Sequence, residues 1–390
     1  MRIGIEGQRL FRKEKHGMDI VAMELIKSLQ LLDSANEYFI FVKDGDDDTW
    51  FEPTKNFHII RLKKRPYHLW EQFTLPRAVL KHKVDILHCT SNTAPMFITV
   101  PLVLTLHDII YLENFKFISY KSTLYQLIGN FYRRWVVPRI LKQSKRIITV
   151  SNTERSTIVQ KYPKLRDKLR VIYNSYGESF KSSKQNNFKA VKEKYQLPDK
   201  YFFCLGNTSP KKNLTNILKA YYTYLDNSDE KVPLVLADHS PGDLFLFLNS
   251  ANSDYKDYLK FIGYVSNWEI PSIYKNSQLF IYPSIRESFG IPILEGMVMG
   301  TPVITSNISC MPEIAGEGAC FVDPFDSDSI AEGIMKYSVD SVERDNLIEA
   351  GYRQAEKYSW LKSAKMLKAL YEDVFQLEIV EKGKKPKLSF

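Results

Sequence analysis

The sequence predicts an α/β protein built of two doubly wound parallel-sheet domains. Short apolar, β-branched runs recur along the chain, and amphipathic stretches long enough for helices lie between them. That alternation is the signature of parallel strands with helices on both faces. At 390 residues the chain exceeds one ordinary core and reads as about two domains.

In the first half the strand runs are Ile3 to Ile5, Tyr38 to Val42, His58 to Arg61, Asp85 to His88, Leu102 to Leu106, Arg146 to Val150 and Val171 to Tyr173. The second half repeats the scheme with Tyr201 to Leu205, Leu234 to Ala237, Leu259 to Ile262, Leu279 to Pro283, Pro302 to Thr305 and Cys320 to Val322. Met18 to Leu32, Leu214 to Leu225 and Ser329 to Tyr337 carry helical periodicity. The polar stretch Lys181 to Phe188 breaks the pattern and is the expected linker. It divides a Rossmann-like domain, residues 1–180, from a second, residues 189–360. A final amphipathic helix, about residues 361–376, completes the first domain, and a Lys-rich tail, residues 377–390, is expected to be disordered. The picture is of two facing nucleotide-type domains with a central cleft.

A composition of 44% hydrophobic and 25% charged residues, with no low-complexity tract, is that of a globular protein. The longest apolar stretch, Ala94 to Leu106, is interrupted by Pro95 and Pro101 and is shorter than the ~20 residues of a spanning helix. The N-terminus enters a strand at Arg2, so no signal peptide is expected and a cytoplasmic setting is. Cys89, Cys204, Cys310 and Cys320 show no close pairing and read as reduced thiols. The sequons at Asn207 and Asn307 are taken as chance.

The net charge of +9 is uneven: residues 1–180 carry +11 and the remainder −2. Clusters such as Lys63-Lys64-Arg65, Arg133-Arg134 and Lys142/Lys145/Arg146 hold the excess. A one-sided basic surface suits an anionic partner, either a membrane lipid, a lipid-linked phosphate or nucleic acid; a solvated basic face is the plainer alternative.

Two segments carry chemistry. In Arg286-Glu287-Ser288-Phe289-Gly290-Ile291-Pro292-Ile293-Leu294-Glu295-Gly296 two carboxylates stand eight residues apart. The segment follows a buried strand run, and Pro292 fits the first turn of a helix. Glu287 then sits on the loop at the strand's carboxyl end and Glu295 within the first helical turns. In open α/β sheets that crevice binds ligands, and a helix N-terminus suits phosphate. Burying Glu295 without a hydroxyl partner would be costly. A ligand with both hydroxyls and phosphates, such as a nucleotide sugar, fits. The second segment, Leu205-Gly206-Asn207-Thr208-Ser209-Pro210-Lys211-Lys212-Asn213-Leu214, reads as strand, turn and helix start.

These residues resemble the GT-B fold retaining glycosyltransferases of family 4 (group 1), which include sucrose synthase and bacterial mannosyltransferases. The resemblance continues through Gly300-Thr301-Pro302-Val303-Ile304, Met311-Pro312-Glu313-Ile314 and Val322-Asp323-Pro324. It implies that Glu287 contacts donor-sugar hydroxyls and steadies charge at the reacting centre, and that Glu295 accepts from the ribose hydroxyls. Ser288, Phe289, Gly290 and Ile291 would line the sugar and diphosphate, the last three through backbone N–H groups. Lys211-Lys212 stands where the family has Arg-Lys. Lys212 matches the lysine that neutralises the leaving group, whereas lysine at 211 gives up the bidentate fork of arginine.

By the same resemblance Gly17 lies in a phosphate-side loop, His107 in Thr105-Leu106-His107-Asp108 approaches the donor sugar, Val265 packs on the base, and Val150-Ser151 lies near the cleft or caps the next helix. The first domain would take the acceptor and the second the donor. The acceptor side includes Leu69-Trp70-Glu71-Gln72-Phe73-Thr74-Leu75-Pro76 and Phe115 to Arg146, where Phe131, Tyr132, Trp135 and Arg133-Arg134 suit either an anionic membrane surface or an ordinary amphipathic core helix.

The implied reaction transfers a hexosyl unit from a nucleotide sugar, GDP-mannose or a UDP-sugar, to a glycan or lipid-linked acceptor, with retention and no metal or other cofactor. Nucleic acid is not an expected partner. Absence of G-x-G-x-x-G disfavours a nicotinamide enzyme. Asp44-Gly45-Asp46-Asp47-Asp48 contains an Asp-x-Asp of the kind that holds Mn²⁺ in another transferase fold, but reads as an acidic surface turn. The rivals are a nucleotide-sugar epimerase or phosphorylase of this architecture, and a non-catalytic carbohydrate or anion-binding module.

Overall fold

A computed structural model describes residues 1–12, 17–44, 51–110, 124–181, 188–206, 209–239 and 253–383. The described residues form two units, one that runs to Asn174 and resumes at Ser359, and one from Ser175 to Tyr358.

All strand runs of the first unit become strands: β1 (Arg2–Glu6), β2 (Glu37–Lys43), β3 (Phe57–Leu62), β4 (Ile86–Cys89), β5 (Leu102–Thr105), β6 (Arg146–Thr149) and β7 (Leu169–Val171). They pair in the order β3-β2-β1-β4-β5-β6-β7, each pair parallel. Strands covered on both faces must be apolar at successive positions. Thus Tyr38, Ile40 and Val42 of β2 enter one core cluster, while Phe39 and Phe41 enter another. The last strand starts two residues earlier than expected because Leu169, which is buried, pairs with Ile147.

The second unit contains β8 (Phe202–Leu205), β9 (Leu234–Ala237), β10 (Leu259–Gly263), β11 (Leu279–Tyr282), β12 (Val303–Ser306) and β13 (Cys320–Val322). Their order is β10-β9-β8-β11-β12-β13, again all parallel. Both sheets therefore reverse direction at one place, β1/β4 in the first and β8/β11 in the second. Such a switch point leaves a crevice at the strands' carboxyl ends.

Two expectations change. The chain enters the second unit at Ser175, ahead of the expected boundary at residue 180, because Phe180 packs its ring 5.9 Å from that of Tyr274. The proposed linker's residues 182–187 lie outside the described residues. The closing helix spans Trp360–Gly383 rather than about 361–376, so residues 377–383 of the expected basic tail are helical. Ion pairs explain the extension: Arg146 Nη2 lies 2.7 Å from Asp373, and Lys145 Nζ lies 3.7 Å from Glu378 and 2.5 Å from Glu381. The helix returns Ala364, Leu367, Leu370 and Tyr371 to the first unit's core beside Ala22, Ile26 and Leu29.

Among the described residues no helix is long and apolar enough to cross a membrane. All four cysteines are free thiols.

Candidate active site

The second unit's switch point brings together Lys211, Lys212 and the loop from Glu287 to Gly290. Gly206 and the Lys211-Lys212 turn follow β8, and Glu287 follows β11. The two loops are laced together: Ile285 N–H donates to Lys211 O at 2.8 Å, and Asn213 Nδ2 donates to Pro283 O at 3.0 Å and Pro324 O at 2.6 Å. Asn213 achieves this with φ 63°, a left-handed conformation that asparagine tolerates better than most residues. It then opens the helix Leu214–Asn227.

This lacing brings Lys212 Nζ to 2.8 Å from Glu287 Oε1, with side chains only 16% and 11% exposed. Lys212 Nζ also donates to Tyr282 OH at 2.7 Å. The backbone of Glu287 is clamped as well. Its N–H donates to Ser309 Oγ at 3.2 Å, and its carbonyl accepts from Ser309 Oγ at 2.9 Å, Cys310 Sγ at 3.2 Å and Arg286 Nη1 at 2.7 Å. Burial alone pushes the Glu287 carboxyl up, but the Lys212 and Lys211 ammoniums outweigh it and hold the group below the usual range. The carboxylate is therefore ionised across neutral pH.

Gly290 ends this loop with φ 86°, and a Cβ there would lie 3.1 Å from Ile293 Cδ1, so the turn requires glycine. The helix Ile291–Val298 begins directly after it, with Pro292 in its first turn as expected. Its positive end belongs to the same loop. Phe289 buries its side chain against Tyr358, ring centroids 5.7 Å apart, so only its backbone could serve a ligand; Ser288 and Ile291 are half-buried.

Glu295 lies in that helix and accepts from Tyr274 OH at 3.1 Å. Burial pushes its carboxyl up to about 7, against the pull of the Tyr274 hydrogen bond. It is not part of the lysine–glutamate group. Val265 is buried after β10, two strands from β8.

Gly17 and His107 belong to the first unit. Gly17 is exposed and opens the helix Gly17–Leu32, and a Cβ there would meet nothing within 4 Å. Crowding therefore does not require glycine at this position. His107 follows β5 and is buried, its N–H donating to Asn92 Oδ1 at 2.6 Å. Its Nε2 lies 2.9 Å from Thr90 O. A carbonyl can only accept, so Nε2 carries the proton and the neutral ring keeps Nδ1 as its acceptor. Burial lowers the pKa of His107, which favours that neutral form.

A polar cluster at the first unit's switch point was not singled out residue by residue in the sequence. Glu6 ends β1 and accepts from Gln8 N–H at 2.8 Å and Thr90 Oγ1 at 3.2 Å. Glu71, on the π-turn Trp70–Thr74, accepts from Thr93 Oγ1 and Tyr132 OH, each at 2.5 Å, and from Tyr67 OH at 3.0 Å and Gln72 Nε2 at 3.2 Å. Burial raises both carboxyls, that of Glu71 to about 7. Trp-Glu-Gln was the only signal, because these partners come from separate parts of the chain. Tyr274, Tyr282, Asn213 and Ser309 likewise carried none beyond their polarity.

Ser151 caps the helix Asn152–Lys161 by accepting from Glu154 N–H, as one of its two readings expects. In the Phe115 to Arg146 region, residues 115–123 lie outside the described residues. Phe131 and Trp135 on the helix Leu124–Gln143 are 75% and 46% exposed, whereas Tyr132 turns to Glu71. Of the Asp-x-Asp segment, residues 45–48 lie outside the described residues. Among those described, no group of three or more His, Cys, Asp or Glu forms a candidate metal site.

Two sheets with Rossmann-type order and a lysine–glutamate pair at the second switch point define a class, and sequence comparison identifies it. The family described as glycosyl transferases group 1 matches residues 185–354, and glycosyltransferase family 4 matches residues 16–176. The chain belongs to the group 1 glycosyltransferases of GT-B fold.

Among its relatives, O-antigen chain mannosyltransferase B of Escherichia coli is 30% identical over 56% of this chain and 58% of its own length. O-antigen chain mannosyltransferase RfbU of Salmonella typhimurium is 28% identical over 75% of this chain and 76% of its own. The chain thus spans little more than half of the former. Among solved structures, sucrose-phosphate synthase from Thermosynechococcus elongatus superposes with a TM-score of 0.71 at 17% identity, covering 96% of this chain and 99% of that one. Anabaena HepE in complex with UDP-glucose gives 0.70 at 16% identity, covering 96% and 100%.

Proposed function

We propose that this protein is a retaining glycosyltransferase that moves a hexosyl unit from a nucleotide diphosphate sugar to a hydroxyl of a glycan or lipid-linked acceptor in cell-surface polysaccharide synthesis. The Lys212–Glu287 pair at the β8/β11 switch point carries this reading. A leaving nucleoside diphosphate gains negative charge as the sugar–phosphate bond breaks, and a fixed ammonium there stabilises it. The ionised Glu287 accepts donor-sugar hydroxyls and steadies positive charge at the anomeric carbon. Glu295 accepts from the ribose.

Retention follows a front-face route in which the departing phosphate helps to remove the acceptor proton. A retaining hydrolase would instead need two carboxylates ~5–5.5 Å apart acting on one bond. Here the partners of Glu287 and Glu295 differ, lysine for one and a tyrosine hydroxyl for the other. Lys211 and Lys212 supply the charge that a metal supplies elsewhere, so activity is expected without one. The O-antigen mannosyltransferases among the relatives favour a mannosyl unit, and GDP-mannose is the donor proposed for it; a UDP-sugar, as in HepE in complex with UDP-glucose, is the alternative. The neutral His107 ring, with Nδ1 as its acceptor, takes a sugar hydroxyl. The basic first half and the exposed Phe131 and Trp135 suit the inner face of the cytoplasmic membrane.

The test is incubation with labelled GDP-mannose and UDP-hexoses, with chelator, with and without membrane extract or anionic vesicles. Label transferred only when the extract is present is the expected result. Turnover without acceptor points to an epimerase, and binding without turnover to a carbohydrate-binding module.

A further inference from the structure

Tyr282 stands at the donor-side switch point with a buried hydroxyl and no role in the reaction outlined above. It is the last residue of β11 and 3% exposed. Its ring stacks on Phe280, with centroids 5.5 Å apart and planes at 20°, and Phe280 packs in turn on Tyr274 and Phe203. The phenol oxygen is thus anchored by an aromatic core rather than by a loop. A buried tyrosine requires a partner for its hydroxyl. Here the oxygen accepts from Lys212 Nζ at 2.7 Å.

We propose that Tyr282 is a positioning residue for the leaving-group lysine: its neutral hydroxyl holds the Lys212 ammonium beside Glu287 and aims the remaining N–H at the donor diphosphate. The inference rests on the donor reading of this site. An ammonium has three donors, and Tyr282 OH and Glu287 Oε1 take two. One is left for phosphate, so the donor can bind without breaking either contact.

The choice of a neutral anchor has a physical reason. Lysine is a point charge on a flexible stem. If Glu287 alone held it, the ammonium would follow whatever the carboxylate does when it turns to the sugar. An anionic second anchor would compete with the phosphate for the charge. Burial and the neighbouring Glu287 carboxylate raise the Tyr282 hydroxyl well above its usual range, so it stays protonated and uncharged. Phenylalanine would fill the same space without the hydroxyl.

The experiment is calorimetric titration of wild type, Tyr282→Phe, Lys212→Met and the double variant with GDP, GMP, UDP and UMP. Melting temperatures check that each variant is folded. Wild type should bind one diphosphate more tightly than its monophosphate. Tyr282→Phe should weaken that diphosphate about tenfold, the effect of one hydrogen bond to a charged group, and leave the monophosphate unchanged. In the Lys212→Met background the same change should have no further effect, because coupled residues are not additive. Equal loss for diphosphate and monophosphate, no loss, or full loss without Lys212 would each overturn the assignment. If wild type binds no nucleotide, the donor reading itself fails.

Discussion

The two switch points share a strand order yet hold their carboxylates in opposite states. At β8/β11 Glu287 is paired with a lysine and titrates below the usual range. At β1/β4 the carboxyls of Glu6 and Glu71 are surrounded by hydroxyls and amides, and burial raises both. Opposite charge favours the ionised form, whereas desolvation favours the neutral one. The comparison teaches that topology places the crevice and that the residues on two loops decide what the crevice can do. Among the described residues, β8/β11 pairs a lysine with a carboxylate held below its usual range, whereas at β1/β4 the Arg9 charge does not outweigh the burial that raises Glu6; the former is what a leaving diphosphate and a charged sugar centre require.

The largest effect should come from breaking that pair on the acid side. Glu287→Ala is expected to lower kcat ~10²–10³-fold, the usual loss when one transition-state-stabilising group is removed, with little change in donor binding. A kcat within about threefold of wild type would refute the role, because that loss lies far below the range expected of such a group. Removal of the base, Lys212→Met, strands a buried carboxylate, and such losses run to ~3–5 kcal/mol. Here the sign matters. A carboxyl with a lowered pKa stabilises the fold above its unfolded value near 4.5 and loses that contribution only as pH falls through its folded value. Without Lys212 only Lys211 opposes burial, and Glu287 shifts toward a group that weakens the fold as pH rises. Melting temperatures from pH 4 to 8 would show the shift, and an unchanged profile would contradict it.

Smaller changes sharpen the contrast. Glu295→Gln should raise the donor Kd by the equivalent of about 1.5–3 kcal/mol, since ribose contacts are made in ground and transition states alike. Because the Glu295 carboxyl titrates near 7, wild-type donor affinity should rise as pH increases through that value and the variant's should not. At the other switch point Glu71 is raised from 4.5 to about 7. The folded state holds the proton more tightly, so this residue's contribution to stability falls as pH rises across that window. Glu71→Gln should flatten part of the fall in melting temperature. Glu295 keeps the rest, and an undiminished slope would place the titration elsewhere.

Much of this was legible in the sequence, for a physical reason. Strands buried on both faces must be apolar at successive positions, so runs such as Leu234–Ala237 announce themselves. Gly290, Pro292 and the paired glutamates carry local turn and helix-start signals that need no distant partner. Tyr282, Asn213 and Ser309 have no such signal, because their roles arise only when loops after different strands meet, as when Asn213 reaches Pro324. Glu71 was within the quoted Trp-Glu-Gln segment, but its partners Thr93 and Tyr132 lie 22 and 61 residues away. The closing helix was cut short for the same reason, since the lysine and arginine that extend it follow the helix Leu124–Gln143.

The most direct measurement is a crystal structure with GDP or UDP bound. The account predicts the β-phosphate against Lys212 Nζ and the N-terminus of the helix Ile291–Val298, with ribose hydroxyls on Glu295. A nucleotide seated instead among Glu6, Thr90 and Glu71 of the first unit would contradict it.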